Sequence, residues 1–148
     1  MKRTITLEVI CFLFIFLFVY AAVSKLAEYE TFTVQLGQSP LVTAFAHWIA
    51  WAIPALEILI SILLIIPKTR LMALYACLSL MTMFTTYIVC ILTLSVYVPC
   101  SCGGILESLG WAEHLIFNVA FLVLSIIGIV LCHRQESNPE VNPTTQPV

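Results

Sequence analysis

Charge is the scarcest property of this sequence. Asp, Glu, Lys and Arg make up 9% of the chain, against about 25% in an average soluble domain. Asp is missing altogether, so all eight acidic residues are Glu, and the six Lys and Arg never form a block. With a formal net charge of −2 and no basic stripe to neutralise phosphates, nucleic-acid binding is excluded. Too little polar surface exists to cover a soluble fold. There is no internal repeat, and no Cys-x-x-Cys spacing among the six cysteines.

What the chain does have is apolar sequence in long runs, 61% of 148 residues, a length that suits one domain. A helix needs about 20 mostly apolar residues to cross a hydrocarbon core about 30 Å thick. Four such spans are predicted, at about 7–23, 44–66, 71–96 and 111–132. Lys2 and Arg3 ahead of the first run, with the small residues Ala21, Ala22 and Ser24 after it, also read as a signal peptide. The apolar stretch is at or beyond the usual ~7–15 residues of such a segment, and three more spans follow, so an uncleaved first helix is the simpler reading. The expected fold is an all-α integral membrane bundle of four transmembrane helices over residues 1–133.

Basic residues near span ends stay on the cytoplasmic side. Lys2, Arg3, Lys68, Arg70 and Arg134 fall at one set of ends, and only Lys25 falls at the other. Both termini are therefore expected in the cytoplasm, with the 24–43 and 99–110 connections facing outward. Within the first connection Leu26, Tyr29, Phe32 and Leu36 recur at helical spacing before Gly37, Ser39 and Pro40, which predicts a helix lying in the membrane interface. Residues 134–148, with three prolines among Ser, Asn, Thr and Gln, have nothing to bury and read as a disordered cytoplasmic tail.

Topology sorts the cysteines. Cys11, Cys77 and Cys132 fall near cytoplasmic helix ends, where thiols stay reduced, and are expected to fill core space, as is Cys90 in the third span. Cys100 and Cys102 differ: Pro99-Cys100-Ser101-Cys102-Gly103-Gly104 is a short polar loop on the expected outward, oxidising face. A disulfide across one intervening residue closes a very small ring, and a strained bond suits exchange better than permanence. The following helix N-terminus favours a thiolate nearby. A permanent loop staple, or a pair of idle thiols, fits the same residues. So does a soft-metal site, but two thiolates are an incomplete ligand set, and no metal or cofactor is assigned.

Glu107, Trp111, His114 and Asn118 are spaced i, i+4, i+7 and i+11, one face of a helix that starts near Ile105. This polar stripe descends from the cysteines into the membrane. It serves either ordinary interhelical hydrogen bonding or function, with His114 able to relay protons. Glu113 points elsewhere as an interfacial charge. Glu57, near the middle of the second span and just after Pro54, is costly there unless neutralised or paired inside the bundle, and is a functional candidate by default. Pro54 releases a backbone carbonyl and makes room for a polar pocket. Lys25 would meet Glu57 only across staggered helices, and is expected instead to snorkel to the interface.

Several of these segments together resemble a known family. Tyr20-Ala21-Ala22-Val23-Ser24-Lys25-Leu26, Gln38-Ser39-Pro40-Leu41, Ile53-Pro54-Ala55-Leu56-Glu57, the Cys100–Gly104 loop and the stretch from Trp111 to Asn118 are similar to the methylamine-utilisation MauE family. The wider kinship is to DoxX-like four-helix membrane proteins. The resemblance covers about residues 5–133, and its most specific part is the Cys-x-Cys-Gly loop. It implies a bacterial inner-membrane protein engaged in redox maturation of periplasmic proteins. Under that reading Cys100 and Cys102 exchange disulfides with a thioredoxin-like or disulfide-bonded partner, supported by His114, Asn118, Glu57 and Trp111. Unlike quinone-linked membrane oxidases, the chain has no second outward cysteine pair to pass electrons onward. Two other readings stay open: a non-enzymatic assembly factor or scaffold, and a small-molecule or metal carrier built around Glu57, Asn118 and His114.

Overall fold

The computed structural model describes residues 2–38, 43–94 and 110–136. Five α-helices account for nearly all of them: α1 (Lys2–Ala27), α2 (Tyr29–Gln38), α3 (Ala46–Ile65), α4 (Arg70–Leu94) and α5 (Trp111–Glu136). Among the described residues there is no β-strand. All but α2 are long and apolar enough to cross a membrane. A helix is the form such sequence must take, because inside lipid every backbone N–H and C=O has to be satisfied within the segment.

Successive long helices run antiparallel. Arg70 at the start of α4 pairs with Glu8 of α1, and the Gln135 amide near the end of α5 hydrogen-bonds Thr4 of α1. One end of the bundle, its base, therefore carries the start of α1, the end of α3, the start of α4 and the end of α5. The expected grouping of Lys68, Arg70 and Arg134 with the N-terminus is present in the fold. The opposite end, its top, carries the end of α1 and the starts of α3 and α5. α1 packs against α3 and α5, and α4 against α5 and α3, so α1 and α4 lie on the diagonal.

The α3–α4 connection shows how a tight turn at a membrane face satisfies its backbone. Ile66 is extended ahead of Pro67, as steric contact with the proline ring requires, and a 3-10 turn follows over Pro67–Thr69. The Thr69 hydroxyl donates to Leu63 O at 2.8 Å and Arg70 Nε donates to Leu64 O at 3.4 Å, covering carbonyls that the end of α3 leaves open. Ser and Thr inside the spans are tolerated by the same economy. Thr82, Thr85 and Thr86 of α4 each donate to the carbonyl four residues back, at 2.7–2.8 Å.

The core of the base half is built by a stripe on α1, Leu7, Ile10, Cys11, Phe14 and Phe18, spaced in threes and fours. It meets Ile60 and Leu64 of α3, Leu74, Cys77 and Met81 of α4, and Ile129 and Cys132 of α5. Phe14 sits edge-on to Phe121 of α5 with ring centroids 5.3 Å apart, a favoured aromatic geometry. Gly128 of α5 lets the helices close: a Cβ there would lie 3.0 Å from Leu74 Cδ2 and 3.3 Å from Ile10 Cγ2. The opposite faces are apolar as well. Phe12, Phe16 and Ile116 are each about two-thirds exposed, an outer surface that suits hydrocarbon and not water.

Three boundaries differ from the sequence expectation. α1 begins at Lys2 and runs to Ala27, beyond the 7–23 span, because flanking polar residues continue the helix past the apolar stretch. α5 continues to Glu136, so residues 134–136, assigned to the tail, form its last turn, and the rest of the tail lies outside the described residues. The helix of the first connection is present as α2, with Tyr29, Phe32 and Leu36 turned onto Ala46, Ile49 and Ala50 of α3. Its apolar side is thus partly spent on the bundle.

Candidate functional site

The top half of the bundle is packed less tightly than the base. Large aliphatic and aromatic side chains fill the base half, whereas Ala22, Ala46 and Ala50 are among the core residues of the top half. A cavity of about 300 Å³ lies there, lined by all five helices. Its wall is mostly apolar and aromatic, with Phe18, Tyr20, Phe32, Phe84, Tyr87 and Phe117 among the lining residues. Besides the two tyrosines, the polar lining residues are Lys25, Glu57, His114 and Asn118.

Lys25 and Glu57 form an ion pair, Nζ to Oε1, at 2.5 Å. This corrects the expectation that Lys25 snorkels away. The reason lies in side-chain direction. On a helix the Cα–Cβ bond leans toward the N-terminus, so on antiparallel helices side chains lean in opposite senses. Lys25, two residues from the end of α1, leans down into the bundle; Glu57, in the middle of α3, leans up toward the top. The pair closes a separation in height that residue positions alone would leave open. The Lys25 ammonium also lies 5.5 Å from the centre of the Phe84 ring, a cation–π contact that holds it inward.

Glu57 is fully buried, and its Oε2 has no hydrogen-bond partner among the described residues. An unmatched acceptor in an apolar setting is costly and calls for a physical explanation. Pro54, also buried, lies one turn earlier. It has no N–H to give to Ala50 O and so interrupts the helix ladder just above the carboxylate. Ser61 Oγ donates to Glu57 O at 2.8 Å, which keeps that hydroxyl out of the cavity.

From the predicted stripe, His114 and Asn118 are brought together on α5, both buried and both lining the cavity. Trp111 is the first residue of α5. Glu107 lies outside the described residues, as do Cys100 and Cys102 and the rest of their loop. The described helix begins at Trp111 and not near Ile105. Glu113 closes the first turn of α5: its carboxylate accepts the backbone N–H of Gly110, while His114 N donates to Gly110 O at 3.0 Å. Cys11, Cys77 and Cys132 are buried in the core at the base half, and Cys90 is half-buried on α4. Among the described residues, no three His, Cys, Asp or Glu side chains converge in a way that could hold a metal ion.

Sequence reasoning missed three contributors: Lys25 as a partner for Glu57, Phe84 beneath the ammonium, and Tyr87 in the cavity wall. Only the first left a signal, a lone Lys in an apolar helix facing a lone Glu in another.

Fold and site together define a multi-pass helical membrane protein with a largely apolar cavity, holding a buried ion pair, in one half of the bundle. The particular family follows from comparison: the model of the methylamine utilisation protein MauE family matches residues 3–131, and the chain belongs to that family. No curated protein and no solved structure matches the chain.

Proposed function

We propose that this protein is a bacterial inner-membrane component of methylamine-utilisation-type maturation, exchanging disulfides with exported partner proteins through Cys100 and Cys102. The family description, a methylamine utilisation protein, is one support. The observation that carries the reading is that buried polar side chains gather at the top of the bundle, where α4 ends and α5 begins. The Cys-x-Cys pair belongs to the connection between those two helices. His114, one turn into α5, supplies an imidazole that can accept and return a proton during thiol exchange, and Asn118, two turns in, supplies an amide that can hydrogen-bond.

In the exchange a thiolate of the reduced pair attacks one sulfur of a partner disulfide, the S–S bond breaks, and a mixed disulfide forms with release of the partner's other sulfur as thiolate. The second cysteine of the pair then displaces the partner, leaving a Cys100–Cys102 disulfide and a partner dithiol. Run in reverse, the same steps oxidise the partner. In this reading the termini lie in the cytoplasm and the pair faces the periplasm, which the distribution of Lys and Arg supports.

The test is mixed-disulfide trapping with single Cys100→Ser and Cys102→Ser variants, together with labelling of whole cells by a membrane-impermeant thiol reagent. One single variant should accumulate a covalent adduct with a thioredoxin-like protein, and labelling should require prior mild reduction. Adducts that persist in the double Ser variant would overturn the proposal. A second reading, a small-molecule carrier, is favoured by the cavity that unites Glu57, His114 and Asn118. It predicts that Glu57→Gln impairs activity in the double Ser background.

A further inference from the structure

We infer that the cavity in the top half of the bundle is a binding site for a neutral, lipid-soluble phenol of the hydroquinone type, whose hydroxyl donates to Glu57 Oε2. The inference extends the second reading by naming its ligand, and it needs neither the cysteine pair nor transport.

The carboxylate sets the requirement. Glu57 is fully buried, its Oε1 is occupied by Lys25, and its Oε2 is left without a donor among the described residues. What completes the site must therefore bring a hydrogen-bond donor. A cation does not fit: the single negative charge of Glu57 is already matched by Lys25, and a further positive charge in an apolar cavity would stand unpaired. An anion does not fit either, because it would face the free oxygen of a carboxylate. One water could donate to Oε2, but it occupies about 30 Å³ of liquid volume, a small part of a cavity of about 300 Å³. The remaining space has an apolar wall.

The wall narrows the choice further. Tyr20, Phe84, Tyr87 and Phe117 present rings around the cavity, which suits a planar aromatic body. Asn118, on the α5 side of the same cavity, can both donate to and accept from a second ring oxygen. A hydroquinone supplies an uncharged aromatic ring with a hydroxyl at each end. The site lies within the span of the helices, so an alkyl-substituted ligand arrives from the bilayer. No electron transfer is part of this inference.

The experiment uses the full-length Cys100→Ser/Cys102→Ser protein in detergent micelles and three probes: a decyl-substituted hydroquinone kept reduced, the corresponding benzoquinone, and decanol. Binding is read by equilibrium dialysis. The hydroquinone should saturate one site and bind about tenfold or more tightly than the benzoquinone, which lacks the donor and forfeits one hydrogen bond to a charged acceptor. Glu57→Leu should abolish that preference. Because the comparison between probes is made on a protein with an intact Lys25–Glu57 pair, it stands even where Glu57→Leu fails to fold. Equal binding of hydroquinone and benzoquinone, decanol binding as tightly as the hydroquinone, or no saturable binding would each overturn the inference. Failure of mixed-disulfide trapping would bear on the thiol reading alone.

Discussion

Removing Lys25 should harm this protein more than removing Glu57, although the two form one ion pair. Lys25 keeps 19% of its side-chain surface exposed and Glu57 keeps none. In a Lys25→Met variant the carboxylate stays in the middle of α3 on a short stem, with both oxygens unmatched. An unpaired charge at that depth costs about 3 kcal/mol on insertion scales, and breaking a buried pair by deleting one partner costs about 3–5 kcal/mol. Taking about 3 kcal/mol, the ratio of folded to unfolded protein falls about 150-fold. In Glu57→Leu the stranded group is instead a long, flexible Lys two residues from the end of α1, which can swing to the interface at a cost of about 1 kcal/mol or less. The double variant, Lys25→Met with Glu57→Leu, should recover most of the loss, since well-packed apolar replacements of buried pairs are often neutral. SDS titration of the micelle-solubilised protein, followed by helical circular dichroism, measures all three. A Lys25→Met loss under about 1 kcal/mol, or a Glu57→Leu loss larger than the Lys25→Met loss, would refute the reasoning.

Two further outcomes are expected from the same assay. Gly128→Ala should lie within about 1 kcal/mol of the unsubstituted protein, because the gain in helix propensity offsets the tight approach to Leu74, whereas Gly128→Leu should lose about 2 kcal/mol or more by forcing α5 away from α1 and α4. Arg70→Ala, which breaks a pair with the largely exposed Glu8, should cost no more than about 0.5 kcal/mol and less still in high salt, and a larger, salt-independent loss would mean that the Leu64 carbonyl contact dominates.

The class of this protein was legible in its sequence because the relevant physics is one-dimensional. A run of about 20 apolar residues either crosses a bilayer or does not, and the four spans at 7–23, 44–66, 71–96 and 111–132 reappear as α1, α3, α4 and α5. The helix in the first connection was legible for a similar reason, its apolar residues keeping helical spacing through Leu36. Lys68, Arg70 and Arg134 share the end of the bundle where α1 starts because successive membrane-crossing helices alternate in direction. Glu57 stood out by cost alone, whatever its surroundings.

What met Glu57 was decided in three dimensions. Whether Lys25 reached the carboxylate or the interface depended on the opposite lean of side chains on antiparallel helices, and on the Phe84 ring, which α4 places beneath the ammonium. Phe84 and Tyr87 are ordinary apolar and aromatic residues in a span, and nothing in their spacing separates a cavity wall from a lipid-facing surface. The cavity itself takes its wall from five helices at once. Volume left unfilled between helices has no local signature, because it is a property of how several surfaces fit together and not of any one of them.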